Sequence, residues 1–322
     1  MDRAGASLNA DVLRQLKQNK RRETFKTVYR FRYVYLLVVF GIVFFCVFHY
    51  APLYGLQLAF KKFQIKKGIW GSPWIGLDNF KTLFARAEFW TVFQNTLVIS
   101  LQRTFLSFPV PIVLAIVINE VRSVRLSRTL QVVYTLPHFL SWVTISGIML
   151  HLLASSGAAN SLLTILGLHT VPFLSDGIIF RAIIVFTEIW KESGWSSIVY
   201  LAAIASIDPS FYESATIDGV NRLQKAWYIT FPCIRSTAAV LLILAVGGVM
   251  SAGFDQVFNL YNPTVYKYAD IIDTYIYRIT FEQAPNYGLS TAVGLFKGII
   301  NAVLLFSANY VVGRLDRDAR MI

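Results

Sequence analysis

Cysteine is almost missing from the 322 residues. Only Cys46 and Cys233 occur, the first inside an apolar run and the second in a polar segment. A disulfide framework and a thiolate metal site are both excluded on that count. Histidine is equally scarce: His49, His138, His151 and His169 stand apart, with no two at ligand spacing, so metal binding and imidazole catalysis have no basis here. No Gly-x-x-x-x-Gly-Lys-Ser/Thr loop is present. The nearest string, "GLFKGII", lies inside an apolar run that nucleotide could not reach, so the chain is expected neither to bind a cofactor nor to hydrolyse ATP. Clustered carboxylates are also lacking, which removes the basis for a membrane-embedded glycan-processing enzyme.

Charge is sparse as well. Only 15% of residues are charged against 55% apolar, and the mean hydropathy is +0.53, beyond the usual range of a soluble domain. The net charge of +12 does not indicate nucleic acid, because the cations flank apolar runs instead of forming a soluble face. An all-α membrane protein is the expectation. A bilayer core needs about 20 mostly apolar residues per helix. Six stretches qualify, at roughly 33–55, 89–118, 130–153, 179–204, 236–258 and 287–313. Residues 1–32 form a basic segment with no cleavable signal core. Its Leu13 and Leu16 beside Arg14, Lys17, Lys20, Arg21 and Arg22 fit either a helix on anionic lipid or a solvated tail. Residues 314–322 form the tail.

Lysine and arginine set the orientation, because cationic loops resist translocation. Residues 1–32, the "RSVRLSR" segment, the segment holding Arg222, Lys225 and Arg235, and the tail carry most of them. Both termini and the segment 205–235 are therefore expected on the cytoplasmic side of the membrane. The opposite side carries "KKGIWGSPWIGLDNF", "GAANSLLTILGLHTVPFLSD" and a Tyr-rich segment, 259–286. Trp70, Trp74, Tyr261, Tyr266 and Tyr268 there fit either docking of an external protein or interfacial anchoring.

Segment 205–235 interrupts two apolar runs with polar, helix-forming sequence. Asp208-Pro209 reads as an N-cap and first helical residue, Gly219 as a break, Arg222–Ile229 as a second short helix and Pro232 as its end. Leu201, Ile204, Ile207, Phe211 and Ile217 are expected to face the membrane, with Glu213, Asp218 and Arg222 toward the cytoplasm. The result is a two-helix knob suited to a partner's groove.

The spacing Glu213-Ser214-Ala215, three residues, Gly219, nine residues, Ile229-Thr230-Phe231-Pro232 resembles the E-A-A, three residues, G, nine residues, I-x-L-P loop of binding-protein-dependent ABC importer permeases. Ser214 replaces the second Ala and Phe231 the Leu. The flank "IDPSFYESATIDGVNR" is similar to the carbohydrate branch containing the maltose permease, and "KGIWGSPWIGLDNF" to its complex-polysaccharide and alginate type. The likeness runs from about Tyr33 to Asp316. It implies a type I importer permease with six transmembrane helices and a coupling helix at Glu213, Ser214, Ala215, Asp218, Gly219 and Arg222. It also implies two cytoplasmic ATPase subunits carrying ATP and Mg, a related second permease and an external substrate-binding protein.

Ionised side chains in mid-bilayer cost roughly 2.5–3.5 kcal/mol on insertion scales and so normally face protein or water. That singles out Arg103, Glu188, Lys191, Glu192 and Lys297. Each either pairs between spans or contacts substrate, and the spacing allows Glu188 to pair with Lys191 or Glu192 within one helix. Arg181 is expected to snorkel to the outer interface. A carbohydrate path wants aromatics interleaved with amide or hydroxyl groups. Trp190, Trp195, Gln256 and Asn301 are candidates, with Asp255 and Asn259 beside them. Lys297 and Arg103 would suit an acidic glycan. The rival reading is an ion-coupled carrier using Glu188, Lys191 and Glu192 as a relay, against which stand the absent internal repeat and the small number of spans.

Overall fold

A computed structural model of the chain describes residues 26–27 and 30–315. The basic lipid-facing segment expected at Leu13 to Arg22 and the end of the tail lie outside the described residues. The regular structure among those residues is helical, joined by turns and loops, with one isolated bridge between Lys61 and Trp74. They fall into two units, 1–57 and 58–322.

The described part of the first unit belongs to a single helical run. Helix α1, Arg32–Phe45, is apolar on every side and has no buried residue. It passes through a π-turn at Cys46–Tyr50 into a 3₁₀ stretch.

In the second unit, α2 (Ala87–Ser107) continues almost directly into α3 (Pro109–Asn119). Pro109 and Pro111 sit in the first turn of α3, where a missing N–H leaves no extra carbonyl unpaired. The stretch expected at 130–153 is not one helix. Helix α4 (Val124–Thr135) ends in a 3₁₀ turn at Leu136–Phe139, and α5 (Trp142–Leu152) leaves it at 93°. Pro137 tightens that turn, and Ser141 restarts the helix by accepting the Thr144 N–H at 3.1 Å. Helix α6 (Gly177–Ala205) is 29 residues long, begun by Asp176, whose carboxylate accepts the N–H groups of Ile178 and Ile179.

Two short helices follow, α7 (Pro209–Ile217) and α8 (Arg222–Lys225). Pro232 does not end α8, contrary to the sequence expectation. A π-turn at Ala226–Thr230 shifts the bonding so that the Phe231 N–H reaches Ala226, and the chain runs on as α9 (Phe231–Gly247) with Pro232 in its first turn. The apolar stretch expected at 236–258 is broken instead near its other end. Helix α9 stops at Gly247, and Gly253 at φ +78° turns the chain into α10 (Phe254–Leu260). Then come α11 (Ile272–Tyr277) and α12 (Tyr287–Leu315).

By length and composition, four helices among the described residues could cross a membrane: Arg32–Phe60, Ala87–Asn119, Arg222–Gly247 and Tyr287–Arg314. The bent pair α4 and α5 would make five. Helix α6, expected as another span, is long enough but carries Arg181, Glu188, Lys191 and Glu192, which pull its hydropathy down.

Three buried apolar clusters hold the second unit together. One joins α2, α11 and α12 around Phe89, Tyr275 and Val293. Another joins α2, α6 and α10 around Ile99, Phe180 and Val257. The third joins α3, α6 and α9 around Ile112, Tyr200 and Ile234. Helix α6 also crosses α4 at Gly194, where a Cβ would collide with the Tyr134 carbonyl. Gly194→Ala gains about 1 kcal/mol of helix propensity but overpacks rigid backbone, which costs about 1–3 kcal/mol. The expected result is a net fall in the thermal midpoint of the detergent-solubilised protein; an unchanged midpoint would contradict the close crossing.

Candidate functional site

Two places gather the chemistry-bearing residues. The first is an open cavity of about 530 Å³ lined by α2, α3, α6, α9 and the break after α9. Arg103 and Glu188 face each other across it with Nη2 to Oε1 at 2.5 Å and side chains 16% exposed. A Cβ at Gly253 would collide with the Arg103 guanidinium, so the glycine admits Arg103 against the break. Glu192 also lines the cavity. It accepts from the Lys191 ammonium at 2.8 Å and lies 2.7 Å from His138 Nδ1. Lys191 is buried, and its remaining reach goes to the His138 carbonyl at 2.8 Å. Trp195 lines the same wall, its ring stacked on His138 at 4.6 Å and 5°.

The expected salt bridge within α6 from Glu188 to Lys191 or Glu192 is therefore not the one formed: Glu188 turns to α2, and Lys191 meets its own neighbour. Arg181 does not snorkel freely either. It donates to the Tyr268 carbonyl at 2.7 Å and to Asn95 Oδ1 at 2.6 Å. Lys297 pairs with Asp273 at 2.5 Å, away from the cavity. Gln256 is fully buried and donates to the Ile184 carbonyl and the Thr187 hydroxyl, both at 2.7 Å. Asn301 accepts the Met250 N–H at 3.1 Å, which fastens the break to α12. Trp190, Asp255 and Asn259 also stand outside the cavity lining. His138 and the lining hydroxyls Ser100, Thr104, Ser107, Ser193 and Ser196 were missed by sequence reasoning. The available signal was spacing: Ser100, Thr104 and Ser107 recur at i, i+4 and i+7, one face of a helix.

The second place is the turn between α7 and α8. Asp208 caps α7 by accepting the Ser210 N–H at 2.9 Å, and this backbone hydrogen bond holds its carboxyl below the usual carboxylate range. At the other end Gly219 adopts φ +72°, the Val220 N–H returns to the Ala215 carbonyl at 3.0 Å, and the Gly219 N–H to Thr216 at 3.2 Å. That is a Schellman termination, which a Cβ at Gly219 would strain. Asn221 and Gln224 cap α8 reciprocally at 2.9 Å. Lys225 reaches the Thr216 hydroxyl at 2.6 Å, Tyr212 meets Thr230 at 2.9 Å, and Arg222 lies 4.0 Å from Glu120. Ala215 is buried, while Glu213, Ser214, Asp218 and Gly219 are exposed. Phe211 and Ile217, expected to face the membrane, are 56% and 88% exposed on the protein surface, in company with Leu223, Trp227 and Tyr228.

Residues 107–320 match the model of the family described as binding-protein-dependent transport system inner membrane component. The chain belongs to that family. It is 39% identical over 303 residues to the polygalacturonan/rhamnogalacturonan transport system permease protein YteP of Bacillus subtilis (strain 168), covering 94% of each. It is also similar to a chain in the crystal structure of a bacterial ABC transporter involved in the import of the acidic polysaccharide alginate. That TM-score is 0.84 at 41% identity, covering 91% of this chain and 99% of the other. A further crystal structure, a bacterial alginate ABC transporter in complex with alginate pentasaccharide-bound periplasmic protein, matches with TM-score 0.82 and 40% identity, over 90% of this chain and 97% of its counterpart. The fold is that of a type I ABC importer permease. The chain is thus a transport component of the membrane and not an enzyme. Nothing in these likenesses favours the ion-coupled carrier.

Breaking one partner of an enclosed ion pair leaves an uncompensated charge, a loss of about 3–5 kcal/mol, whereas removing both leaves none. Glu188→Ala is accordingly expected to lower the thermal midpoint much more than the double variant Arg103→Gln with Glu188→Gln. Equal effects in a thermal unfolding series would show that the pair is not coupled.

Proposed function

We propose that this chain is the membrane-spanning subunit of an ATP-driven importer that moves an oligosaccharide or polysaccharide from an external binding protein into the cytoplasm. The observation that carries the coupling half of this reading is the knob formed by α7 and α8. Helix α7 is capped at both ends and α8 at its start, and α8 runs on through the π-turn into α9, so the knob is stiff, and its tip presents Glu213 with Phe211, Ile217 and Leu223 exposed. An apolar tip that also carries the carboxylates of Glu213 and Asp218 suits a groove on a protein partner, with Glu213 meeting a partner's cation. Ala215 is buried under the tip. ATP and Mg would sit on that partner, an ATPase subunit present twice, since this chain has no phosphate-binding loop.

Both termini and the knob lie on the cytoplasmic side in this proposal, in keeping with the Lys/Arg distribution. The second permease supplies the other wall of the pathway, and the cavity beside Arg103 is this chain's share. An acidic glycan is favoured by what the relatives handle. Its carboxylates would not be met by Arg103 or Lys297, which are engaged by Glu188 and Asp273.

Glu213→Lys reverses the tip charge, and Gly219→Pro cannot adopt the left-handed turn. Each is expected to abolish co-purification of the ATPase subunits and to reduce glycan uptake at least tenfold, with the permease still inserted in the membrane. Unchanged association and uptake in both variants would refute the coupling role. Uptake in the parent should persist with an uncoupler when ATP is maintained; collapse under those conditions would restore the ion-coupled carrier.

A further inference from the structure

Directly after the apolar run Arg32–Phe60 the chain folds into a hook over residues 61–77. Two backbone bonds close it, from the Lys62 N–H to the Pro73 carbonyl at 3.0 Å and from the Ile75 N–H to the Phe60 carbonyl at 2.9 Å. Inside the hook the Ser72 hydroxyl donates to the Gly68 carbonyl at 2.6 Å and accepts the Gln64 N–H at 3.0 Å. Lys61 is turned inward, with its ammonium on the Ile69 carbonyl at 2.8 Å and 4.7 Å from the centre of the Trp74 ring. Asn79 fastens the base by donating to the carbonyls of Ala59 and Lys61, at 2.9 and 3.1 Å. The backbone is thus fixed by bonds within the hook and at its base.

The side chains on its outside are of two kinds. Lys62, Lys66 and Lys67 are exposed cations, while Ile65 and Trp70 are apolar and 75% and 81% exposed. No exposed carboxylate, amide or hydroxyl side chain lies within 61–77. A face for a neutral sugar would need acceptors as well as donors, because each sugar hydroxyl plays both roles. Cations interleaved with single apolar side chains match a phospholipid headgroup layer, where phosphates stand above acyl chains. Indole settles at that depth, and a lysine can lay its stem along the acyl region while its ammonium meets phosphate. Position in the chain agrees. A bilayer core takes about 20 apolar helical residues. The run that ends at Phe60 has 29, so the hook begins where the hydrocarbon stops.

We propose that the hook 61–77 binds anionic phospholipid, with Lys62, Lys66 and Lys67 on the phosphate groups and Ile65 and Trp70 entering the interface between them. The proposal is separate from the choice of glycan and depends only on the chain's crossing of the membrane.

The test uses the assembled transporter, with its second permease and ATPases, in lipid nanodiscs. Cys46 and Cys233 are replaced by Ala, and Ile65→Cys carries a nitrobenzoxadiazole fluorophore. The bilayer holds phosphatidylcholine and phosphatidylglycerol in about equal parts, with a doxyl quencher near the head of the acyl chain on one lipid or on the other. Quenching by both is expected, and about threefold or more stronger from the phosphatidylglycerol. That preference should fall to about one in the triple variant Lys62→Gln, Lys66→Gln and Lys67→Gln, and again at high salt, which screens the attraction. It should persist in Lys81→Gln, whose cation already pairs with Asp78 at 3.0 Å. No quenching by either lipid, equal quenching by both in the parent, or a preference unaltered in the triple variant would each overturn the proposal. Emission that responds to added external binding protein and not to lipid would assign the hook to protein docking and overturn it as well.

Discussion

A helix that crosses a membrane must have its charges answered by protein, since lipid offers neither counter-ion nor hydrogen bond. Helix α6 carries more charge than any other long helix among the described residues, and each of those charges has a partner in the protein. Arg181 is taken by Asn95 of α2 and by the Tyr268 carbonyl, Glu188 by Arg103 of α2, and Lys191 by Glu192 and the His138 carbonyl at the bend between α4 and α5. These pairings tie the helix to elements that precede and follow it in the chain. They also leave one open cavity lined by paired charges, serines and an indole.

The Tyr-rich segment is held by the same logic. Arg278 meets Asp270 at 2.5 Å and Glu88 at 2.9 Å. Burial works against its charge, yet the Asp270 hydrogen bond and charge, joined by Glu88, outweigh burial and raise its proton affinity. Thr274 donates to Asp270 at 2.7 Å, and Asn95 donates to the carbonyls of Lys267 and Asp270. One polar cluster thereby fastens 266–278 to the start of α2, next to the residues that receive Arg181.

Glycine has two distinct uses in this architecture. At Gly219 the left-handed backbone closes α7 and fixes the angle of the knob, and at Gly253 the same freedom breaks the chain after α9 so that Arg103 can approach. A stiff knob and a break seated against a cross-helix ion pair are compatible with force entering at α7 and a response at the cavity. The path between them runs through α6 and α9, which share the buried cluster around Tyr200 and Ile234.

Much of this was legible from residue order, because it rests on local chemistry. Apolar length announced the membrane helices, Asp208-Pro209 announced the start of α7, and Gly219 its end. The spacing from Glu213 to Pro232 announced the family. Where the sequence misled, a local rule was overridden by the fold: Pro232 was absorbed by a π-turn. Choice of partner lay beyond sequence altogether. Glu188 has Lys191 within one turn but pairs with Arg103, 85 positions away, and Ser100, Ser107 and Ser193 line one cavity only because α2 and α6 pack side by side. Turns, caps and hydrophobic length depend on neighbours a few residues apart and are set by residue order; charge pairing and cavity lining depend on distances through space and follow from how the helices pack.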